Sequence, residues 1–174
     1  MILDLARLCF FPALMAFAAV SDLLTMTISN RVSLLLVAGF AVLAAWGGMP
    51  GHDLLMHGAA GLIVLTAGFA CFAMGWIGGG DAKVASAAAL WLGFSHLLNY
   101  LLYASLFGGA LTLLLLQFRQ WPLPHALGSQ SWLLRLHGKD ADIPYGIALA
   151  LGALVIYPET SWIAAVDLGR FTLP

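Results

Sequence analysis

Apolar runs recur from one end of this chain to the other. They extend from Ile2 to Val20, Val32 to Trp46, Leu54 to Trp76, Ala82 to about Leu92, about Leu97 to Leu116, and about Ile143 to Tyr157. A hydrocarbon layer about 30 Å thick takes about 20 residues of helix to cross. Inside that layer only helices and closed barrels satisfy every backbone amide. The pattern therefore predicts an all-α, polytopic integral membrane protein with about six transmembrane helices. Composition agrees, since 62% of the residues are hydrophobic and 9% charged, where a soluble domain carries roughly 25% charged residues. The runs use up nearly all of the 174 residues, so residues 1–174 are expected to form a single transmembrane domain.

Several function classes drop out on composition. A net charge of −1 leaves no basic face for nucleic acid. Cys9 and Cys71 each lie within an apolar run, too far apart for a zinc ribbon or a disulfide framework, and read as small core residues. The histidines are scattered without a His-Glu-x-x-His pattern, so no metal and no cofactor is expected. His52 and His57 read as interfacial residues. Arg7, the run after it and Ala16-Phe17-Ala18 imitate a secretory signal, but Asp4 spoils the basic n-region. The first run is expected to stay as an uncleaved span.

Six spans place residues 21–31, 77–83 and 117–142 on one side. That side holds Arg31, Lys83, Arg119, Arg135 and Lys139, whereas the other holds only Arg7 and Arg170. The excess of positive charge marks the first side as cytoplasmic. The polar segment Gln117 to Asp142 is expected to be a loop with a short amphipathic piece at "SWLLRLHGK". Trp46, Trp76 and Trp162, near span ends, read as interface anchors. Small residues on one face of the third run (Gly58, Gly61) and of the fourth (Ala82, Ser86, Ala89) permit close helix approach in lipid.

Against this background "MGWIGGGDAKVASA", residues 74 to 87, stands out. An ionisable residue at the edge of the bilayer is a functional candidate by default. Asp22 closes the first run and Asp81 opens the fourth, both on the cytoplasmic side. Each has an ordinary reading, a loop carboxylate for Asp22 and a helix N-cap for Asp81. As a pair they can do more. Two carboxylates packed together can share one proton, because two like charges at close range cannot both ionise cheaply. The ionised one can then act as general base on a water while its neutral partner polarises a scissile carbonyl. Gly78, Gly79 and Gly80 would leave room for an extended substrate backbone beside Asp81. The glycines do not make a phosphate loop, since Val84 follows Lys83 where Ser or Thr is needed.

"GGGDAK" (Gly78 to Lys83) resembles the G-x-G-D motif of the prepilin peptidase family of aspartyl proteases. "SDLLTMTISNRVS" resembles that family's first aspartate motif, with Asp22 followed by Ile28-Ser29-Asn30. "DIPYGIALALGAL" resembles its last span. The resemblance implies that Asp22 and Asp81 are the catalytic pair. It makes Gly78 and Gly80 the motif glycines, with Lys83 and Asn30 as further substrate-binding or motif positions. Lys83 could equally reach toward anionic headgroups, and Asn30 could simply cap a helix.

The resemblance further implies an endopeptidase of the bacterial inner membrane. Its substrate would be a pilin or pseudopilin precursor, cleaved after a short basic leader at the cytoplasmic face. Larger members carry an additional segment with Cys-x-x-Cys pairs, linked to N-methylation. This chain lacks those cysteines and resembles the minimal form that accompanies Tad/Flp-type pili, without methyltransferase activity. The alternative from another class is a small transporter or channel subunit whose two aspartates bind a cation or relay protons. No repeat between the two halves supports it.

Overall fold

The computed structural model describes residues 1–122, 130–138 and 141–166, and among them there are helices and no strand. The elements are α1 (Ile2–Thr25), α2 (Asn30–Trp46), α3 (Gly51–Ala73), α4 (Gly79–Phe118), α5 (Ser131–His137) and α6 (Tyr145–Ile156). A 3-10 turn, Tyr157–Glu159, and the short α7 (Ser161–Ala164) follow. Three helices are long and apolar enough to cross a membrane: α1, α3 and α4. Two shorter apolar stretches, Asn30–Trp46 and Tyr145–Glu159, accompany them. Leu55, Phe69, Leu98 and Leu113 are among many large apolar side chains on the surface. Water would not tolerate so continuous a patch, and lipid solvates it. The molecule is a membrane protein.

Each helix boundary has a local cause. α1 ends where Met26 turns left-handed (φ 54°) and donates its amide to the Asp22 carbonyl at 2.8 Å. Ser29 then caps α2 by accepting the Arg31 amide at 3.3 Å. Gly48 (φ 68°) breaks the chain after α2, and Gly75 (φ 74°) does so after α3. Without a Cβ both sit in the left-handed region at little cost. α1 thus runs five residues beyond the expected Val20, and Asp22 lies inside a helix rather than in a loop. α4 starts at Gly79, with Gly78 rather than Asp81 at the cap.

Close approaches set the direction of each helix. Gly68 faces Ala82 and Gly61 faces Ser86 and Leu90, so α3 runs antiparallel to the start of α4. Ser86 Oγ tightens this seam by donating to the Gly61 carbonyl at 2.9 Å. Gly58, expected on the same face, has no neighbour within reach of a Cβ. Farther on, Gly152 lies against Ala104 and Gly108 against Tyr145, so α6 runs antiparallel to the later part of α4. Asp22 pairs with Gly146 and Arg7 with Tyr157, so α6 also runs antiparallel to α1.

Together these contacts require the chain to reverse within α4. Gly93 (φ 66°, ψ 177°) is the non-helical residue at that reversal. The stretch "GFSHLLN" was expected to separate two spans. Instead one glycine turns the chain, and residues 94–118 continue as helix at once. The amphipathic piece expected near residue 131 is present as α5. Arg135 anchors it to the Leu24 carbonyl at 2.7 Å, and Arg119 Nε bonds the Leu136 carbonyl at 2.8 Å.

The core holds an aromatic cluster at the half of α1 away from Asp22. There Phe11 lies 4.6 Å from Tyr157 and 5.1 Å from Trp91, and Trp91 lies 4.9 Å from Trp162. Trp91 Nε1 donates to the Leu36 carbonyl and Trp162 Nε1 to the Trp91 carbonyl, at 2.9 and 2.8 Å. Buried indoles need such acceptors. Trp162 is therefore a core residue, not the interface anchor expected, whereas Trp46 and Trp76 are on the surface. Cys9 is exposed and Cys71 half-buried, so neither is the core residue expected. His57 is half-buried, with its Nδ1 2.8 Å from the Leu90 carbonyl.

Candidate active site

Asp22 stands in the last turns of α1 and is 5% exposed. Its Oδ2 accepts the Gly146 amide at 2.8 Å, in the first turn of α6. The first amides of a helix lack partners within it, and the helix dipole favours a negative group there. Asp22 therefore caps α6 across 124 residues of sequence. Only glycine fits at 146, because a Cβ there would meet Asp22 Oδ2 at 2.8 Å and Ile28 Cδ1 at 2.7 Å.

Asp81 is the third residue of α4. Its carboxylate turns back to the Gly78 amide, as an acidic residue at this helix position commonly does. A Cβ on Gly78 would sit 2.9 Å from Asp81 Oδ2. Gly80 instead faces Ile28, whose backbone and side chain lie 3.4 to 3.7 Å from where its Cβ would be. One motif glycine makes room for a carboxylate, and the other lets the α1–α2 loop approach.

Asp22 and Asp81 line one pocket of about 300 Å³. Its remaining wall comes from Met26, from residues 75–78 and from 142–145. Asp22 and Asp142 both bear electrostatically on Asp81. Two acids around a small polar cavity can position a water and move its protons, which is what acid–base hydrolysis needs. Among the described residues, no group of three His, Cys, Asp or Glu could hold a metal ion.

Lys83 and Asn30 are brought together, but elsewhere. Lys83 Nζ donates to Asn30 Oδ1 at 2.7 Å, tying the start of α4 to the start of α2. Neither lines the aspartate pocket. Both border an apolar groove of about 360 Å³ with Ser33, Leu34, Val37 and Leu65. Lys83 is thus bonded within the protein rather than reaching only for headgroups, and Asn30 is not the cap of α2.

Sequence reasoning missed Asp142 as a pocket residue and Gly146 as the partner of Asp22. The "DIPYGI" segment was noticed for its likeness to a last span, yet nothing local says that its glycine meets Asp22.

A model of the type IV leader peptidase family matches residues 9–113. No curated protein and no solved structure matches the chain. The matched stretch covers more than half of the 174 residues. It contains Asp22, Asn30, Gly78, Gly80, Asp81 and Lys83, on the helices that bring both carboxylates to one pocket. On that match the chain is a membrane peptidase belonging to the type IV leader peptidase family.

Proposed function

We propose that the chain is an aspartyl endopeptidase that removes the short basic leader of pilin-like precursors at the cytoplasmic face of a bacterial inner membrane. The observation that carries this reading is that Asp22 and Asp81, from different helices, line one pocket. The two carboxyls share one proton. The ionised carboxylate takes a proton from water as its oxygen attacks the scissile carbonyl carbon, and the protonated partner hydrogen-bonds the carbonyl oxygen. Collapse of the tetrahedral intermediate breaks the C–N bond, and the leaving amine takes its proton from the carboxyl that accepted one. No metal, cofactor or covalent intermediate enters this cycle.

Charge at the two ends supports the sidedness. Arg31, Lys83, Arg119 and Arg135 lie toward the aspartate end, and Arg7 lies at the other, bonded to the Ala165 carbonyl. The alternating directions of α1, α2, α3, the two arms of α4 and α6 support six crossings. The share of the pocket taken by residues 142–145 supports reading the whole chain as one peptidase domain. With only two cysteines, it is expected to lack N-methyltransferase activity.

The test is co-expression with a pilin precursor from the same genome, read as a mobility shift on a gel. Wild type is expected to cleave. Asp22→Asn and Asp81→Asn should each lose at least about 100-fold in rate, the lower range for removing a general acid or base. Normal processing by both variants would overturn the dyad and favour a cation-binding or purely structural role for the pair.

A further inference from the structure

The aspartate pocket has a third carboxylate that the two-aspartate mechanism does not use. Asp142 lies just before α6, on its exposed approach, and lines the pocket with Asp22 and Asp81. It shares that wall with Asp81, on which its charge bears. The other two acids have backbone amides against them, Gly146 for Asp22 and Gly78 for Asp81. Among the described residues the Asp142 carboxylate has no hydrogen-bond or ion-pair partner.

The nearby arginine is already engaged. Arg119 gives Nη2 to the Asp142 backbone carbonyl at 3.1 Å and Nε to the Leu136 carbonyl at 2.8 Å. It fixes the backbone of residue 142 and leaves the side chain unneutralised. No Lys, Arg or His among the described residues lines the pocket.

The exposed carboxylate is met by solvent alone, which leaves it open to a cation brought by a substrate, and the geometry limits which. The three aspartates do not converge as a metal site would, so a small ion is the wrong shape of partner. A long organic cation is the right one. It can lay its stem along Trp76 and Ile77, which share the wall, and bring its head to Asp142. We infer that Asp142 is a specificity-determining residue that receives a Lys or Arg side chain of the substrate close to the scissile bond. This rests on the reading of Asp22 and Asp81 as the peptidase dyad.

The experiment uses the full chain in proteoliposomes and three precursors. One carries Lys or Arg just ahead of the cleavage site, one has these replaced by Gln, and one by Glu. Wild type should prefer the basic precursor in kcat/KM. Asp142→Asn should reduce that preference at least about threefold, mainly through KM, as expected for a partly exposed charge pair. Asp142→Lys should prefer the Glu precursor, which a merely structural role would not produce. An unchanged preference in Asp142→Asn, with all precursors slowed alike, would overturn the inference.

A second arm separates it from the dyad. The Lys-bearing leader peptide alone should bind wild type more tightly than Asp142→Asn, and the difference should shrink at high salt. If wild type cleaves none of the precursors, the peptidase reading falls. The binding arm then decides the charge inference by itself, upheld by a salt-sensitive difference and overturned by equal binding.

Discussion

At the scale of single residues, two glycines show opposite demands on the same side-chain loss. Gly146 has an Asp22 oxygen 2.8 Å from where its Cβ would be, whereas Gly109 has nothing within 4 Å. Gly146→Ala must push Asp22 or Ile28 aside. A displacement of about 1 Å at a reacting group costs on the order of 100-fold in rate, so the variant should lose about that much precursor processing. Gly109→Ala is the matched control and should process at a near-normal rate. If Gly146→Ala cleaves normally, the tight fit around Asp22 does not matter to the chemistry. Asp22 and Asp81 were legible in the sequence because a carboxylate is costly in so apolar a chain and invites explanation. Their neighbours were not. Gly146 sits 124 positions from Asp22, and no local pattern announces a bond made through space. Asn30 and Lys83 were each singled out, but that they bind one another, 53 positions apart, could only be seen folded.

At the scale of elements, the instructive place is the middle of α4. A run of helix-forming residues interrupted by "GFSHLLN" reads as two spans with a connecting loop. The fold needs one residue for the reversal, because Gly93 adopts φ 66°, ψ 177°, a region essentially confined to glycine. Its position is also crowded, with His57 Cε1 2.9 Å from where a Cβ would lie. Gly93→Ala should therefore destabilise the protein by at least about 1–3 kcal/mol, seen as a lower unfolding temperature in detergent. Unchanged stability would mean that the reversal is not held at this residue. Helix starts were read less well than helix bodies. Gly79 and Gly80 look like loop by propensity, yet they form the first turn of α4 because Phe72 and Ile28 pack closely on them. The link between α2 and α4 invites a double-mutant cycle. Lys83→Met and Asn30→Ala should couple by about 0.5–1.5 kcal/mol, the usual net worth of one hydrogen bond.

At the scale of the whole molecule, apolar periodicity made the class legible, since surface and core are alike greasy and only a bilayer accommodates both. Topology is the property it left to test. Single cysteines in a background without Cys9 and Cys71 give a direct map. Cysteines at Gly51 and Ser95 should label from outside the cell, and those at Thr27 and Ser131 only after permeabilisation. Protection of Ser95 would mean that α4 does not surface at its reversal, and would remove two of the six crossings proposed. The match to the leader peptidase family ends at residue 113, before the turn of α6 that holds Asp22 by the Gly146 amide. A shortened relative ending there would keep both aspartates and every feature by which its kin are recognised. It would also have lost its grip on one of the two acids. In this molecule the stretch that reveals ancestry stops short of the glycine that holds Asp22.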